Sequence, residues 1–371
     1  MFEHNHPVDF ESTLRNGRNF ECHSEDPWPS SELGVACVHS LQNTGVAATI
    51  QHFVVNDSEY HHYVPVWNTL IQLEFFNSLD FRGPVVCRQL AHYTGQLWLD
   101  AVDAAVVFAG LNAEWDNEGL DRSGISLPHS HNALIARVVA ANPRTVVVLQ
   151  AGSPVALPWL LEVAAVLQAW YPGQECGNAI ADVLLGAAEP GGRLPQTWPV
   201  RLEDTVVFGN PLHYLGMDGH VVYAEGVFTG YRHYQQQNIA PLFPFGHGLP
   251  CTQFAFGALR LASTELQPGG ALLVDMDVYN VGSRAGQTVV QRYVSATRAS
   301  LPRPAQELKG SAKLSLAARA FGTARFRLGM RAFAFYNVAR AAPVAEAGGY
   351  QLHARLASAD LVLAGDWVLA V

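Results

Sequence analysis

A chain of 371 residues has room for two or three domains. With 49% hydrophobic and 15% charged residues it is globular rather than disordered, and a net charge of −9 argues against a nucleic-acid-binding surface. No run of about 18 apolar residues exists to span a membrane. The five cysteines (Cys22, Cys37, Cys87, Cys176, Cys251) are odd in number and scattered, which fits a reducing compartment without a disulfide framework; with no basic-then-apolar leader at Met1, a cytoplasmic location is expected.

In chain order, Ser31–Asn43 has helical spacing through Leu33, Ala36, Cys37 and Leu41, and Val46–Val55 is a buried-strand run. The pairs His4/His6 and His61/His62 lack a Cys or carboxylate at a zinc spacing, so no metal or other cofactor is expected. Residues 64–100 alternate as two short strands. Asp103–Gly110 reads as a buried strand. After a polar loop, a helix runs from Pro128 with Leu134, Ile135, Val138 and Val139 on one face, and Asn142-Pro143 stops it. Thr145–Leu149 is a second buried strand, Ala151-Gly-Ser-Pro154 a turn, and Pro158 opens a short helix ending near Val163. Ala165–Trp170 is a third strand and Gln174–Leu185 a further helix. Apolar strands alternating with helices predict parallel βαβ units covered on both faces.

Residues 199–250 are broken by Pro199, Pro211, Pro241, Pro244 and Pro250 and read as a long connection. Tyr223, Tyr231, Tyr234, Phe243 and Phe245 are expected to pack it onto the α/β layer, with His247 structural. Beyond residue 253 the pattern changes to short alternating strands: Leu272–Tyr279, Thr288–Val294, Thr323–Leu328, Ala332–Tyr336, Gly349–Arg355 and Asp366–Val371. Their regular spacing predicts a β-sandwich.

The loop after Gly110 is the candidate functional stretch, because ligands of parallel α/β sheets bind beyond the carboxyl ends of the strands. It carries Glu114, Asp116, Glu118, Asp121, Arg122 and Trp115. Carboxylates serve hydroxyl binding and proton transfer, and an aromatic ring serves an apolar sugar face. A solvated acidic loop has the same composition.

Gly110-Leu-Asn, Glu114-Trp and Glu118-Gly-Leu-Asp-Arg122 resemble the acid/base loop of family 3 glycoside hydrolases, the β-glucosidase group. The resemblance continues through Asn142-Pro-Arg-Thr, Ala151-Gly-Ser-Pro-Val, Ala169-Trp-Tyr-Pro-Gly-Gln-Glu175, Gly192-Arg-Leu-Pro-Gln-Thr197, Tyr223-Ala-Glu-Gly226, Gly230-Tyr-Arg-His-Tyr234 and Pro241–Leu249. Earlier, Asn16-Gly-Arg-Asn-Phe-Glu21, Ser24-Glu-Asp-Pro27 and Ala47–Asp57 resemble pieces of that family's N-terminal (β/α)8 barrel. Ile71–Pro84 resembles the first strands of an inserted PA14 module, and Arg303–Gly310 the linker phrase of a fibronectin-III-like domain.

The resemblance implies an α/β architecture: a parallel α/β domain at 101–250 followed by a fibronectin-III-like sandwich at 251–371. A partial barrel fragment at 1–63 and a PA14-like remnant at 64–100 would precede them. It implies Glu118 as the catalytic acid/base, a role that suits a glutamate whose pKa is raised by partial burial, with Asp121 and Arg122 orienting the loop. Arg18, Gln51 and His52 stand at sugar-binding positions, and Gln51 departs from the family's lysine, which removes an ammonium charge. Arg18 also has Glu21 and Glu25 within reach as ion-pair partners. No Ser-Asp-Trp triplet, the family's nucleophile strand end, occurs in the sequence; Asp26, Asp57 and Asp116 are the remaining candidates. The implied substrate is a small β-glucoside or oligosaccharide, with no nucleic-acid or membrane partner and with homo-oligomerisation left open. The rival reading is an inactive carbohydrate-binding remnant.

Overall fold

In the computed structural model, residues 5–6, 14–16, 18–43, 49–50, 103–214, 216–217, 220–263, 266, 269–359 and 363–369 are described. Gln51, His52, Asp57, Cys87 and the PA14-like stretch lie outside them, as does nearly half of the proposed barrel fragment. Two compact units form. The first comprises Met1–His23, Ala36–Ala188 and Pro199–Val222; the second comprises Ser24–Val35, Glu189–Trp198 and Tyr223–Val371. Among the described residues no helix is long and apolar enough to cross a membrane.

Near the N-terminus, β1 (Asn5–His6) and β2 (Thr49–Ile50) pair in parallel, and α1 spans Pro27–Asn43. The first unit's main sheet is parallel, in the order β3 (Ala105–Gly110), β4 (Thr145–Gln150), β5 (Ala165–Gln168). The three predicted strands are therefore neighbours. In the central strand, Val147, Val148 and Leu149 are fully buried, as an apolar run covered on both faces requires. Helix α2 (His131–Ala141) buries Ile135, Val138 and Val139. It ends where Asn142 goes extended ahead of Pro143. Helix α3 (Cys176–Leu184) sets Cys176 and Ile180 on Val148, with Val106, Phe108 and Leu167 around them.

Two expectations are corrected here. Residues 158–162 form turns rather than a helix. The strand starting at Ala165 stops at Gln168 because Trp170 adopts φ +54°, outside strand geometry.

The second unit is a two-sheet sandwich. One antiparallel sheet has the order β10 (Phe321–Gly329), β7 (Ala271–Asn280), β6 (Phe254–Leu261). The other has the order β14 (Leu363–Leu369), β13 (Gly348–Arg355), β8 (Gly286–Ala296), β9 (Glu307–Leu316). Alternate residues of β7 (Leu272, Val274, Met276, Val278) meet Val290 and Val294 of β8, Phe326 and Leu328 of β10, and Leu352 of β13 in the core. The expected strand at 332–336 divides into a 3-10 turn, Met330–Phe333, and β11 (Ala334–Asn337), which pairs with β12 (Ala342–Ala345). Phe333 is drawn into the core by that turn, with no exposed surface.

The aromatic residues of the 223–250 connection correct a further expectation. Tyr231, at the start of α4 (Tyr231–Gln237), and Phe245 pack on Tyr293 and Leu308 of the sandwich, with Trp28 alongside. Their partners are therefore strands β8 and β9, not the α/β sheet. Tyr223 is exposed.

Candidate active site

The carboxyl end of β3 leads directly into the acidic loop. Leu111 donates its N–H to Gln150 at the matching end of β4 (2.9 Å), which carries the register one residue past the strand. Asn112 then turns the chain. Its carbonyl accepts the N–H groups of Trp115 and Asp116, both at 2.9 Å, and its side chain accepts that of Glu114 at 3.0 Å. Gly119, at φ +92°, completes the reversal.

Arg122 anchors the far end of the loop. It is buried, and its guanidinium donates to the Leu14 carbonyl and to Ser153 Oγ at 2.5 Å. Its N–H donates to the Arg15 carbonyl at 2.7 Å, and Arg15 Nε donates back to the Arg122 carbonyl at 2.8 Å. Arg15 also lies over the Tyr214 ring, 4.6 Å from its centroid. The loop end is thus held by one guanidinium nitrogen, Arg122 Nη2, which donates to both partners.

Glu118 lies next to Arg18, an arginine 100 positions earlier. Arg18 Nη1 donates to Glu118 Oε1 at 3.2 Å, while Nε and Nη2 grip both oxygens of Glu21 at 2.7 and 2.8 Å. The structure therefore joins the predicted acid/base to a predicted sugar-binding arginine, and it selects Glu21 as that arginine's ion-pair partner. The expectation of a partly buried Glu118 is corrected: its side chain is 61% exposed. Asp116 is the buried carboxylate of the loop instead.

Asp116 Oδ2 accepts the Tyr171 hydroxyl at 2.5 Å and the Gly152 N–H at 3.3 Å. Burial pushes the Asp116 carboxyl above its ordinary range, against the opposing pull of Arg122 and these two donors. Burial and the neighbouring Asp116 push the Tyr171 hydroxyl up as well. The Tyr171 ring meets Phe20 edge-on, with centroids 5.8 Å apart. Gly152 lies beneath this pair; a Cβ there would come within 2.1 Å of Phe20 Cβ and 2.7 Å of its Cα, so only glycine admits the approach. Trp115 meets His129 edge-on at 4.9 Å, and His129 Nε2 is 3.5 Å from Glu114.

The other proposed carboxylates are placed differently. Asp26 belongs to the second unit, fully buried, and accepts Arg232 Nη2 at 2.6 Å and the Tyr231 hydroxyl at 2.9 Å. It is a structural ion-pair member rather than a nucleophile facing a cleft. His247 stacks on Phe243, with centroids 4.7 Å apart. Among the described residues no three His, Cys, Asp or Glu gather as a metal site.

Sequence reasoning missed Tyr171, Gly152 and Phe20 as parts of the site. All three stood within quoted motifs, Ala169–Glu175, Ala151–Val155 and Asn16–Glu21, but nothing in their spacing pointed to Asp116.

Comparison with known proteins adds to this geometry. Residues 98–250 match the glycosyl hydrolase family 3 C-terminal domain, and residues 288–358 match the fibronectin type III-like domain. A beta-glucosidase of Rhizobium radiobacter is 48% identical over 260 residues, covering 70% of this chain and 32% of that protein. Thermostable beta-glucosidase B of Acetivibrio thermocellus is 41% identical over 261 residues, covering 70% of this chain and 34% of that protein. Among solved structures, DesR, a beta-glucosidase from Streptomyces venezuelae in complex with D-glucose, aligns at TM-score 0.70 and 38% identity, over 73% of this chain and 34% of that one. A Bifidobacterium adolescentis beta-glucosidase aligns at TM-score 0.69 and 28% identity, over 89% and 44%. The chain spans about a third of the length of the curated relatives it matches.

Proposed function

Because the chain belongs to glycosyl hydrolase family 3, carrying its C-terminal domain and a fibronectin type III-like domain, we propose that it is a β-glucosidase-like protein that engages terminal β-D-glucosyl groups at the 111–122 loop. Glu118 is the acid/base of that reading and Arg18 its sugar-binding neighbour. The observation that carries it is the 3.2 Å contact between Arg18 and Glu118. That contact pairs a proton-transfer group in solvent reach with a fixed donor for sugar hydroxyls.

The same reading assigns this chain little or no hydrolysis by itself. A retaining mechanism needs a second carboxyl group about 5–5.5 Å from the first, and an inverting one needs it about 6.5–9.5 Å away. Asp26 is committed to Arg232, Asp116 to Tyr171, and no Ser-Asp-Trp triplet is present. These commitments favour a carbohydrate-binding protein over a fully active glycosidase.

An aryl β-glucoside assay on the wild type and on Glu118→Gln tests the catalytic part, and a glucose soak of crystals tests the binding part. Expected results are turnover several orders of magnitude below an ordinary glycosidase and glucose hydroxyls at Arg18 and Glu118. Ordinary turnover, abolished by Glu118→Gln and also by one Asp→Asn change, would overturn the low-activity reading. A soak that leaves Arg18 and Glu118 without sugar would overturn the binding reading.

A further inference from the structure

The sheet β10–β7–β6 turns one face to the core and the other to solvent. On β7, Leu272, Val274, Met276 and Val278 belong to the core, so Asp275, Asp277 and Tyr279 alternate onto the outer face. Across from them on β10 stand Arg325, Thr323 and Phe321. Tyr279 and Phe321 are direct cross-strand partners at one end of this face. Their ring planes are within 29° of parallel and their centroids 5.7 Å apart. Tyr279 is 42% exposed and Phe321 65% exposed.

A cross-strand aromatic pair steadies a sheet, but that role does not call for open ground beside the rings, and β6 supplies it. Ala255 is the β6 residue opposite Tyr279, and the register shifts between Phe256 and Leu259. Gly257 lies in that shift. A Cβ there would stand 3.3 Å from Tyr279 Cε2 and 3.3 Å from Asp277 Cβ. The edge of the Tyr279 ring thus rests where a larger residue would crowd it.

The polar groups next to the rings are fixed and mutually neutral. Asp277 accepts Arg260 Nη1 at 2.5 Å, Arg260 Nη2 at 2.8 Å and the Thr323 hydroxyl at 2.8 Å. Asp275 Oδ2 is 3.8 Å from Arg325 Nε. Both aspartates therefore have a cation at hand, and no net charge beside the rings selects a charged ligand. Arg260 is half exposed, and each of its Nη atoms keeps a second N–H. The Thr323 oxygen, having donated, keeps its lone pairs. Donors and acceptors thus border an apolar platform.

Two ring faces are far smaller than the about 800 Å² that each side of a stable protein interface buries, and the core of such an interface is depleted of charged residues. A sugar fits instead. Its C–H face lies on a ring whose own face carries negative charge, and the hydroxyls at its edge meet the bordering groups. Two adjacent rings suit two successive sugars of a chain.

The geometry points to a docking face for a neutral sugar chain on the outer side of sheet β10–β7–β6, with Tyr279 and Phe321 as the stacking platform and Arg260 and Thr323 as its hydrogen-bonding border. It uses no residue of the Glu118 loop and does not depend on hydrolysis there.

Native electrophoresis of the full chain tests this, in gels cast with laminarin, with hydroxyethyl cellulose or without polysaccharide, and with serum albumin as the mobility reference. The expected result is retardation of the wild type by at least one polysaccharide. Phe321→Ala and Tyr279→Ala should each weaken that affinity at least tenfold. Tyr336→Ala, which removes an exposed ring on β11, should leave it unchanged. Retardation should persist in the double variant Arg18→Ala/Glu118→Gln, whose loop is disabled. Phe321 is the more exposed of the pair, so its truncation spares the core if Tyr279→Ala fails to fold. The proposal is overturned if neither polysaccharide retards the wild type, or if the platform variants are retarded as strongly as the wild type. Loss of retardation in the double variant would also overturn it, by assigning the sugar to the loop and leaving the proposed function standing. Sedimentation velocity covers the other occupant: a dimer that Phe321→Ala dissociates would make this face a contact between two copies and sink the sugar assignment.

Discussion

The guanidinium of Arg292 lies over the ring of Phe326, 4.9 Å from its centroid, inside the sandwich. The residue has no exposed surface, and among the described residues none of its three side-chain nitrogens has a hydrogen-bond partner. Burial pulls its pKa down to about 10. It sits where β8 shifts register against β9, between the pairs Arg292↔Gly310 and Tyr293↔Leu308, and this irregularity lets Arg292 and Tyr293 both be buried. Because the unfolded chain holds the proton more tightly, this group weakens the fold at every pH below about 10. Arg292→Met, similar in length and uncharged, should raise stability by about 1–4 kcal/mol. Urea denaturation at pH 7 checks this; a lower midpoint would mean that the ring contact outweighs the desolvation.

Glu25 should make stability depend on pH. It is buried, with Thr197 N–H at 2.7 Å, Thr197 Oγ1 at 2.5 Å and the Tyr231 N–H at 2.9 Å. Burial outweighs these donors and raises its pKa to about 7. The folded chain thus binds this proton more tightly than the unfolded chain. Its contribution is full below about pH 4.5 and is lost as pH rises through about 7, a difference on the order of 3 kcal/mol. Thermal melts of wild type and Glu25→Gln from pH 5 to pH 8 should show a decline in the wild type that is flattened in the variant. Parallel curves would contradict the assignment.

Tyr171→Phe should destabilise the first unit by about 1–3 kcal/mol, since it strips a buried carboxyl of its shortest donor. Asp116→Asn should cost less, because an amide oxygen still accepts from Tyr171. A double-mutant cycle by chemical denaturation measures the coupling, which should exceed 0.5 kcal/mol. Additive effects would show that the 2.5 Å contact contributes nothing of its own.

Gly152→Ala should cost about 1–3 kcal/mol through overpacking against Phe20. It should also expose the segment around Arg18 to protease before the sheet strands are cut. Limited proteolysis with mass spectrometry reads the order of cleavage, and an unchanged pattern would mean that Phe20 relocates without strain.

How much of this was legible in the sequence depended on where each element sits. The central strand β4 is covered on both faces and reads as an apolar run, so Thr145–Leu149 was found to within one residue of Thr145–Gln150. The strands β6 and β9 were missed, although β10 and β14, the other edges of the two sheets, were found. In β9 the alternation is present, but Gly310 and Ala312 on its inner side are small and give it a weak apolar signal. Family resemblance singled out Arg18 and Glu118 separately, but their contact was not foreseen, because no periodicity links residues 100 positions apart. The Asp116–Tyr171 bond depends on neighbouring parallel strands delivering their loops to one end of the sheet, information held in the topology alone.

The ion pair between Asp26 and Arg232 spans 206 positions, and Leu308 then donates its N–H to the Tyr231 hydroxyl beside it. During synthesis at about 5–20 residues per second, Asp26 leaves the ribosome about 10–40 seconds before Arg232 is made. Over that interval its carboxylate stays hydrated and the segment around Trp28 has no Tyr293 or Leu308 to pack on. The earliest-made part of the sandwich unit is thus among the last to settle, and a nascent chain stalled before Leu308 would present Trp28 and Tyr231 to chaperones as unburied apolar surface.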